Sequence, residues 1–349
     1  MTNRKSKNHT FIIAEMAWSH DGSIRKAKRI IKAAADAEAD AISFHITNME
    51  DYMVRDYDQP SKVISQDGKE IKMYDYLDRL NLRESDWRKL FAYAKSLGLK
   101  ICAMPNDNHS LELCRELNPD IYVIASASFG EEDFVKKIAR EKKPIILRIG
   151  GALVQEIEKI IHLIRKYNKR KIVMLHGIQS YPTKIKDTNL SAILVLLRRF
   201  KLSVGIADHI NAESLMSYIV PAMALSLGAT FIEKHLTHNR SLKGLDYIAA
   251  FNPDEFKKFV IYIREAEVAF GTFSLDKLSL AERRYRKMVR KRTVAARDIR
   301  KEEKIEKSNI TFKRANSGLY PDEIRRFFGK KTKCDIRKNQ PIIKSKISL

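Results

Sequence analysis

Cysteine is scarce in this chain. The 349 residues hold three, Cys102, Cys114 and Cys334. An odd number without paired spacing argues against a disulfide framework and leaves the thiols as small hydrophobes in a reducing compartment. No uninterrupted apolar run reaches the about 18 residues a membrane span needs, so no membrane partner is expected. Met1 to His9 is polar and basic without an apolar centre, unlike a secretory signal, and a cytoplasmic protein is the expectation. A Gly-rich first turn is also missing, which weighs against a doubly wound dinucleotide-binding sheet. Acidic residues are few: 43 Asp and Glu against 66 Lys and Arg give a net charge of +23. Residues 281–349 alone carry 23 Lys and Arg against 8 Asp and Glu. Such a surface is either a plain solvated face or one that steers an anionic small substrate. Neither interleaved aromatics nor a reader motif accompanies it, so a nucleic-acid partner is not expected.

What is present is an alternation of apolar, β-rich runs with amphipathic helical patterns. The runs begin at Thr10–Glu15, Ala39–His45, Leu99–Met104 and Asp120–Ser126, and continue at Pro144–Arg148, Lys171–His176, Leu202–Ala207 and Thr230–Glu233. Continuous rather than alternating apolar runs are what buried parallel strands show. Between them, Ser23 is a plausible N-cap for a helix with Ile24, Ala27, Ile30, Ile31 and Ala34 at helical spacing. Ala152 to Tyr167, Leu190 to Phe200, Ala212 to Leu227 and Pro253 to Phe270 read similarly, the last with Asn252 as its cap. Eight strand–helix units in about 270 residues predict an α/β fold of the (β/α)8 TIM-barrel type; an open doubly wound sheet is the alternative.

Two histidines stand at the ends of consecutive strand candidates. One run leads into Asp208-His209 and the next into Glu233-Lys234-His235. In a parallel strand–helix–strand unit both imidazoles emerge at the carboxyl edge of the sheet, where α/β proteins build their sites. Two imidazoles there, each with a carboxylate close in sequence, suggest a metal site; the competing reading is two satisfied histidines at strand ends. Glu15 closes the first strand and would point into a barrel mouth. After residue 270 the pattern breaks. Residues 271–291 read as a basic linker, and 292–349 as a small β-rich domain with an internal repeat. Ala296-Arg297-Asp298-Ile299-Arg300-Lys301 returns as Lys333-Cys334-Asp335-Ile336-Arg337-Lys338, each copy followed by a second apolar segment, Ile305–Ile310 or Ile342–Ile347.

Several segments, in order, resemble the sialic acid synthase (N-acetylneuraminate or nonulosonic acid synthase) family over almost the whole chain. Ile13 to Gly22 resembles its opening IAE signature, and Leu175-His176-Gly177-Ile178-Gln179-Ser180-Tyr181-Pro182-Thr183 its LHCxxxYPT segment. Gly205 to His209 resembles GxSDHT. Glu233-Lys234-His235-Leu236-Thr237, with Gly244-Leu245-Asp246 and Asn252-Pro253-Asp254, resembles EKHFT…GPD…PDE. The tail, with Phe312 to Gly318, is similar to an antifreeze-protein-like (SAF) domain. The resemblance implies a metal-dependent TIM barrel in a domain-swapped homodimer. Its reaction would condense phosphoenolpyruvate with an open-chain N-acetylmannosamine-type sugar in surface-glycan biosynthesis. It also implies that His209 and His235 hold Mn²⁺ or Mg²⁺ and that Glu15 is the catalytic carboxylate. Glu233, Asp246 and Tyr181 would contact the sugar, and Arg314 would reach its acyl-amino group from the small domain.

This chain departs from the family pattern where phosphoenolpyruvate would bind. Two lysines are replaced by Ser43 and Val123. Three hydroxyl-bearing residues become Met104, Arg148 and Ala207, the loop asparagine is Gln179, a glutamate is Ser128, and Ser126 persists. Charge-assisted phosphate contacts contribute roughly 1.5–3 kcal/mol each, so losing two weakens binding by orders of magnitude unless something replaces them. Arg148, with His45 as a second group, is the candidate replacement. The alternatives are a related metal-dependent aldolase or lyase that uses another keto-acid donor, or a sugar-binding homologue without turnover.

Overall fold

The computed structural model describes residues 9–57, 63–64, 69–271 and 276–348. Eight strands form a closed barrel: β1 (Phe11–Glu15), β2 (Ala41–Ile46), β3 (Lys100–Pro105), β4 (Ile121–Ala125), β5 (Ile145–Arg148), β6 (Ile172–His176), β7 (Ser203–Asp208) and β8 (Phe231–His235). Each pairs in parallel with the next, and β8 pairs with β1. The alternating helices are α1 (Ile24–Asp36), α2 (Glu84–Ser96), α3 (Asn108–Leu117), α4 (Glu132–Arg140), α5 (Val154–Tyr167), α6 (Ala192–Phe200), α7 (Met216–Ser226) and α8 (Pro253–Phe270). The (β/α)8 expectation holds. Ser23 caps α1 by accepting from the Lys26 N–H, and Ala27, Ile30, Ile31 and Ala34 form its buried face. Each buried isoleucine there contributes about 1.5–3 kcal/mol of apolar burial. The helix expected from Ala212 starts at Met216, because Asn211 to Ser214 spend their backbone groups on turns.

Successive strand residues face opposite sides. One set, including Ile12, Ile42, Ile101, Leu147, Met174 and Ile232, packs outward against the helices. The other set, including Ile13, Cys102, Val123, Ile146, Leu175 and Phe231, fills the barrel. Gly205 belongs to the inner set. A Cβ built there would lie 2.5 Å from Phe231 Cβ and 2.6 Å from Leu175 Cδ2. Gly205→Ala is therefore expected to destabilise the barrel by about 1–3 kcal/mol through overpacking, read as a lower urea midpoint at unchanged slope; an unchanged midpoint would contradict this packing. On the outer side, Lys234 donates to Asp208 at 2.6 Å with both side chains buried, and its ammonium lies 4.4 Å from the Phe251 ring centroid.

An excursion follows β2: short helices Met49–Tyr52 and Met73–Leu80 and a hairpin pairing Val63–Ile64 with Glu70–Ile71. Its Met49, Tyr74, Tyr76, Leu77 and Leu80 cluster with Ala17 and Trp18 of the β1–α1 loop.

Residues 1–271 and 272–349 form two units. The expected linker holds a helix, α9 (Leu280–Val289), capped by Ser279, and no residue of it is buried; residues 272–275 of that linker lie outside the described residues. In the second unit β9 (Arg292–Ala295) pairs antiparallel with β10 (Ile310–Lys313). The repeat folds as a pseudo-twofold. Ile299 and Ile336 exchange backbone hydrogen bonds at 2.8 Å in both directions. Asp298 accepts from the Lys338 N–H and Asp335 from the Lys301 N–H, each at 2.7 Å. Ile305, Ile310, Ile342 and Ile347 share the core of this unit.

Candidate active site

The strand ends bring the chemistry together at the carboxyl mouth of the barrel. Glu15 is the register partner of His235 on one side and of Ser43 on the other. Glu233 sits two residues before His235, hence on the same inner face. His209 follows β7 directly. The His209 and His235 rings lie 5.1 Å apart at their centroids, and the Tyr181 ring lies 4.5 Å from the first and 5.5 Å from the second.

Arg148, at the end of β5, points into this cluster. Its Nη2 contacts Glu15 Oε2 and lies 2.8 Å from Glu233 Oε2, and its Nη1 lies 2.8 Å from His45 Nε2. A guanidinium only donates, so in this contact His45 Nε2 accepts. Burial opposes charge on Glu15, yet the Arg148 guanidinium in contact with it outweighs burial and holds its carboxyl well below the usual carboxylate range. Glu15 Oε1 also accepts from the Ala17 N–H at 2.7 Å, which fixes the first loop. Glu233 is also buried, and with a smaller offset from Arg148 its carboxyl is pushed up to about 7. The cation expected to hold a donor anion is thus already held by two carboxylates of the same site.

Besides Glu233 Oε2, which faces Arg148, the buried polar atoms here without a hydrogen-bond partner include Glu233 Oε1, His235 Nδ1, Ser43 Oγ and Arg148 Nε. Buried polar groups are nearly always satisfied, so a cluster of exceptions at one end of the barrel marks a candidate ligand position. Both histidines are neutral. Burial drives His209 down to about 4, and burial together with His209 drives His235 well below its ordinary value. His209 Nδ1 donates to the Ile178 carbonyl at 2.8 Å, which puts the lone pair on Nε2, 3.4 Å from the Tyr181 hydroxyl. With metal–nitrogen distances of about 2.0–2.2 Å, rings this close can share one divalent cation. Among the described residues no third His, Cys, Asp or Glu completes a three-ligand group, so water and substrate oxygens would fill the remaining positions.

The other expected residues divide. The Tyr181 hydroxyl donates to Gln179 Oε1 at 2.9 Å and lies 3.4 Å from His209 Nε2. Gln179 is exposed, and the Ser126 hydroxyl is spent on the Gly150 carbonyl at 2.5 Å. Asp246 adopts a left-handed conformation, φ 61°. Burial, then repulsion from Glu15, raise its carboxyl to about 7. Arg314 is an exposed residue of the second unit. His20 serves structure: its Nδ1 accepts from the Gly22 N–H at 3.2 Å and its ring stands edge-on to Trp87. Tyr76 was not anticipated. It is buried in the excursion after β2, and its hydroxyl is raised by burial and then by Asp21 and Asp246. The helical spacing of Met73, Tyr74, Leu77 and Leu80 was the available signal.

Asp246 gives a pH test. Its folded value of about 7 lies above the unfolded value of about 3.9. Between these the unfolded state holds fewer protons, so Asp246 makes stability fall as pH rises through that window. Asp246→Asn is expected to remove this decline, seen as a flatter melting temperature from pH 4 to 7.

A family model described as the NeuB family matches residues 30–274. The chain belongs to the NeuB family. A SAF domain model matches residues 293–348. Pseudaminic acid synthase of Campylobacter jejuni is 32% identical, over 96% of this chain and 96% of its own length. N,N'-diacetyllegionaminic acid synthase of the same organism is 32% identical over 92% of this chain and 95% of its own. The N-acetylneuraminic acid synthetase structure of Leptospira borgpetersenii, in complex with citrate, matches with a TM-score of 0.69 at 28% identity, covering 80% of this chain and 92% of that one. The NeuB-family chain is accordingly a synthase-type transferase that forms a carbon–carbon bond. No helix among its described residues is long and apolar enough to cross a membrane.

Proposed function

We propose that this NeuB-family chain is a divergent nonulosonic acid synthase of surface-glycan biosynthesis. It joins a three-carbon donor, phosphoenolpyruvate or another keto acid, to the aldehyde of an N-acetylmannosamine-like sugar. The observation that carries this reading is the group of unpartnered buried polar atoms around Glu15, Glu233, His209 and His235. His209 and His235 would hold Mn²⁺ or Mg²⁺, which supplies Lewis-acid polarisation of an aldehyde oxygen. Glu233 Oε1 and Asp246 would accept from sugar hydroxyls. Tyr181 packs against both imidazoles and limits water on that side. Glu15 stays ionised under Arg148 and keeps the β1–α1 loop in place through Ala17.

The reading includes a domain-swapped homodimer in which Arg314 serves the acceptor, and a cytoplasmic location. The test is incubation of the full chain with Mn²⁺, N-acetylmannosamine or 2,4-diacetamido-hexoses, and each donor in turn. A nine-carbon 2-keto acid detected by mass is expected; none from any pairing overturns the proposal. Mixing Arg314→Ala with His209→Ala chains should restore part of the activity lost in each alone, and no recovery would remove the swapped arrangement.

A further inference from the structure

We infer that Lys234 and Asp208 are positioning residues: their buried ion pair sets how the His209 and His235 rings stand to each other at the mouth. The inference rests on the reading just given, in which the two imidazoles work as a pair. Lys234 and Asp208 are register partners on the last rung that joins β8 to β7. The next residue in sequence is His235 in one case and His209 in the other. Both members of the pair are withdrawn from water, Lys234 at 0% and Asp208 at 3% exposure.

One ammonium touches a bracket around each ring. Asp208 Oδ2 accepts from Lys234 Nζ at 2.6 Å, and Asp208 Oδ1 accepts from the Ile210 N–H at 3.2 Å. The carboxylate thus spans His209 from the residue before it to the residue after it. On its other side the ammonium lies 4.4 Å from the Phe251 ring centroid, a cation–π contact. The Phe251 N–H donates to the His235 carbonyl at 2.9 Å, and the Phe251 carbonyl accepts from the Thr237 N–H at 2.9 Å. Phe251 therefore holds the backbone on both sides of the His235 peptide group and of Leu236.

Stability alone is a poor reason for such a pair. Its outward neighbours Val204, Ile206, Ile232 and Leu236 are apolar and buried, and an apolar pair of similar volume is often as stable as a buried ion pair or more so. Apolar contact is non-directional. A short charge-assisted bond fixes distance and orientation, and the same carboxylate satisfies the Ile210 N–H. Groups that hold metal-binding imidazoles from behind typically carry roughly ten- to a hundredfold of the affinity for the ion.

The experiment compares the full chain with Lys234→Met, with Lys234→Met plus Asp208→Leu, and with Ile232→Ala, an outward apolar residue of the same strand. The melting temperature, Mn²⁺ uptake and, in the metal-free protein, the proton signal of the His209 Nδ1–H are read for each. Lys234→Met should melt roughly 5–10 °C lower, because it strands a buried carboxylate. The double variant should melt near the parent, yet bind Mn²⁺ roughly ten- to a hundredfold more weakly and show a displaced His209 signal. Ile232→Ala should keep the parent's Mn²⁺ affinity and His209 signal whatever its melting loss. A double variant with the parent's Mn²⁺ affinity and His209 signal overturns the inference and leaves the pair as packing. An Ile232→Ala chain that loses Mn²⁺ affinity as far as a double variant of equal melting loss overturns it too, since general loosening then accounts for the effect. A parent that takes up no Mn²⁺ overturns the metal reading instead. The His209 signal then decides alone: displaced in the double variant and not in Ile232→Ala, it supports the positioning role; the same in both, it overturns that role.

Discussion

Replacing His209 or His235 with alanine is expected to lower turnover by roughly a thousandfold. That is the loss that accompanies removal of several kcal/mol of Lewis-acid charge stabilisation. The fold should survive. The His209 side chain makes one hydrogen bond to the backbone, to the Ile178 carbonyl, a contact of about 1 kcal/mol. Binding of Mn²⁺, followed by the loss of its free electron-spin signal, should fall with activity in both variants. The two losses should not add, since each ring alone is a poor site. A His209→Ala enzyme within about tenfold of the parent rate would show that the pair is structural, because removing a ligand from a working metal site costs far more.

Arg148→Ala should produce the largest stability loss in the barrel, about 3–5 kcal/mol, because it strands two buried carboxylates. The pH dependence separates this from a simple cavity. In the parent, Glu15 is held well below its ordinary value, so its contribution is present above the unfolded value of about 4.3 and is lost as pH falls. Without the guanidinium, burial lifts Glu15 above that value. The unfolded state then ionises first, and the variant loses stability as pH rises. The slope of the variant near pH 5 should be more negative than that of the parent, in which Glu15 does not add to the decline set by Glu233 and Asp246. Adding Glu233→Gln to Arg148→Ala should recover part of the loss, measurable as a coupling in a double-mutant cycle. Parallel slopes, or no recovery, would mean that the cluster is not electrostatically coupled.

The barrel was legible because its signals are local. Buried parallel strands show as apolar runs, and α1 announced itself through Ser23 and a buried stripe. His209 and His235 could be paired from sequence because they end consecutive strands. The tail repeat was legible for the same reason, and its two isoleucines bond to each other. The fate of Arg148 was not legible: Glu15 lies 133 positions away, and only barrel closure makes them neighbours. The excursion after β2 was missed because its helices are short and its packing partners, Ala17 and Trp18, belong to a distant loop. Helix α9 was missed because it buries nothing, so no periodic apolar face marks it.

The alternation of β8 has a historical consequence. Glu233 and His235 face the barrel interior while Lys234 faces Asp208 behind the wall. Gaining or losing one residue in that strand would exchange the two faces at once, turning an ammonium inward and the acid and imidazole out. Descent can therefore revise such a mouth by swapping one side chain at a time, never by shifting the frame.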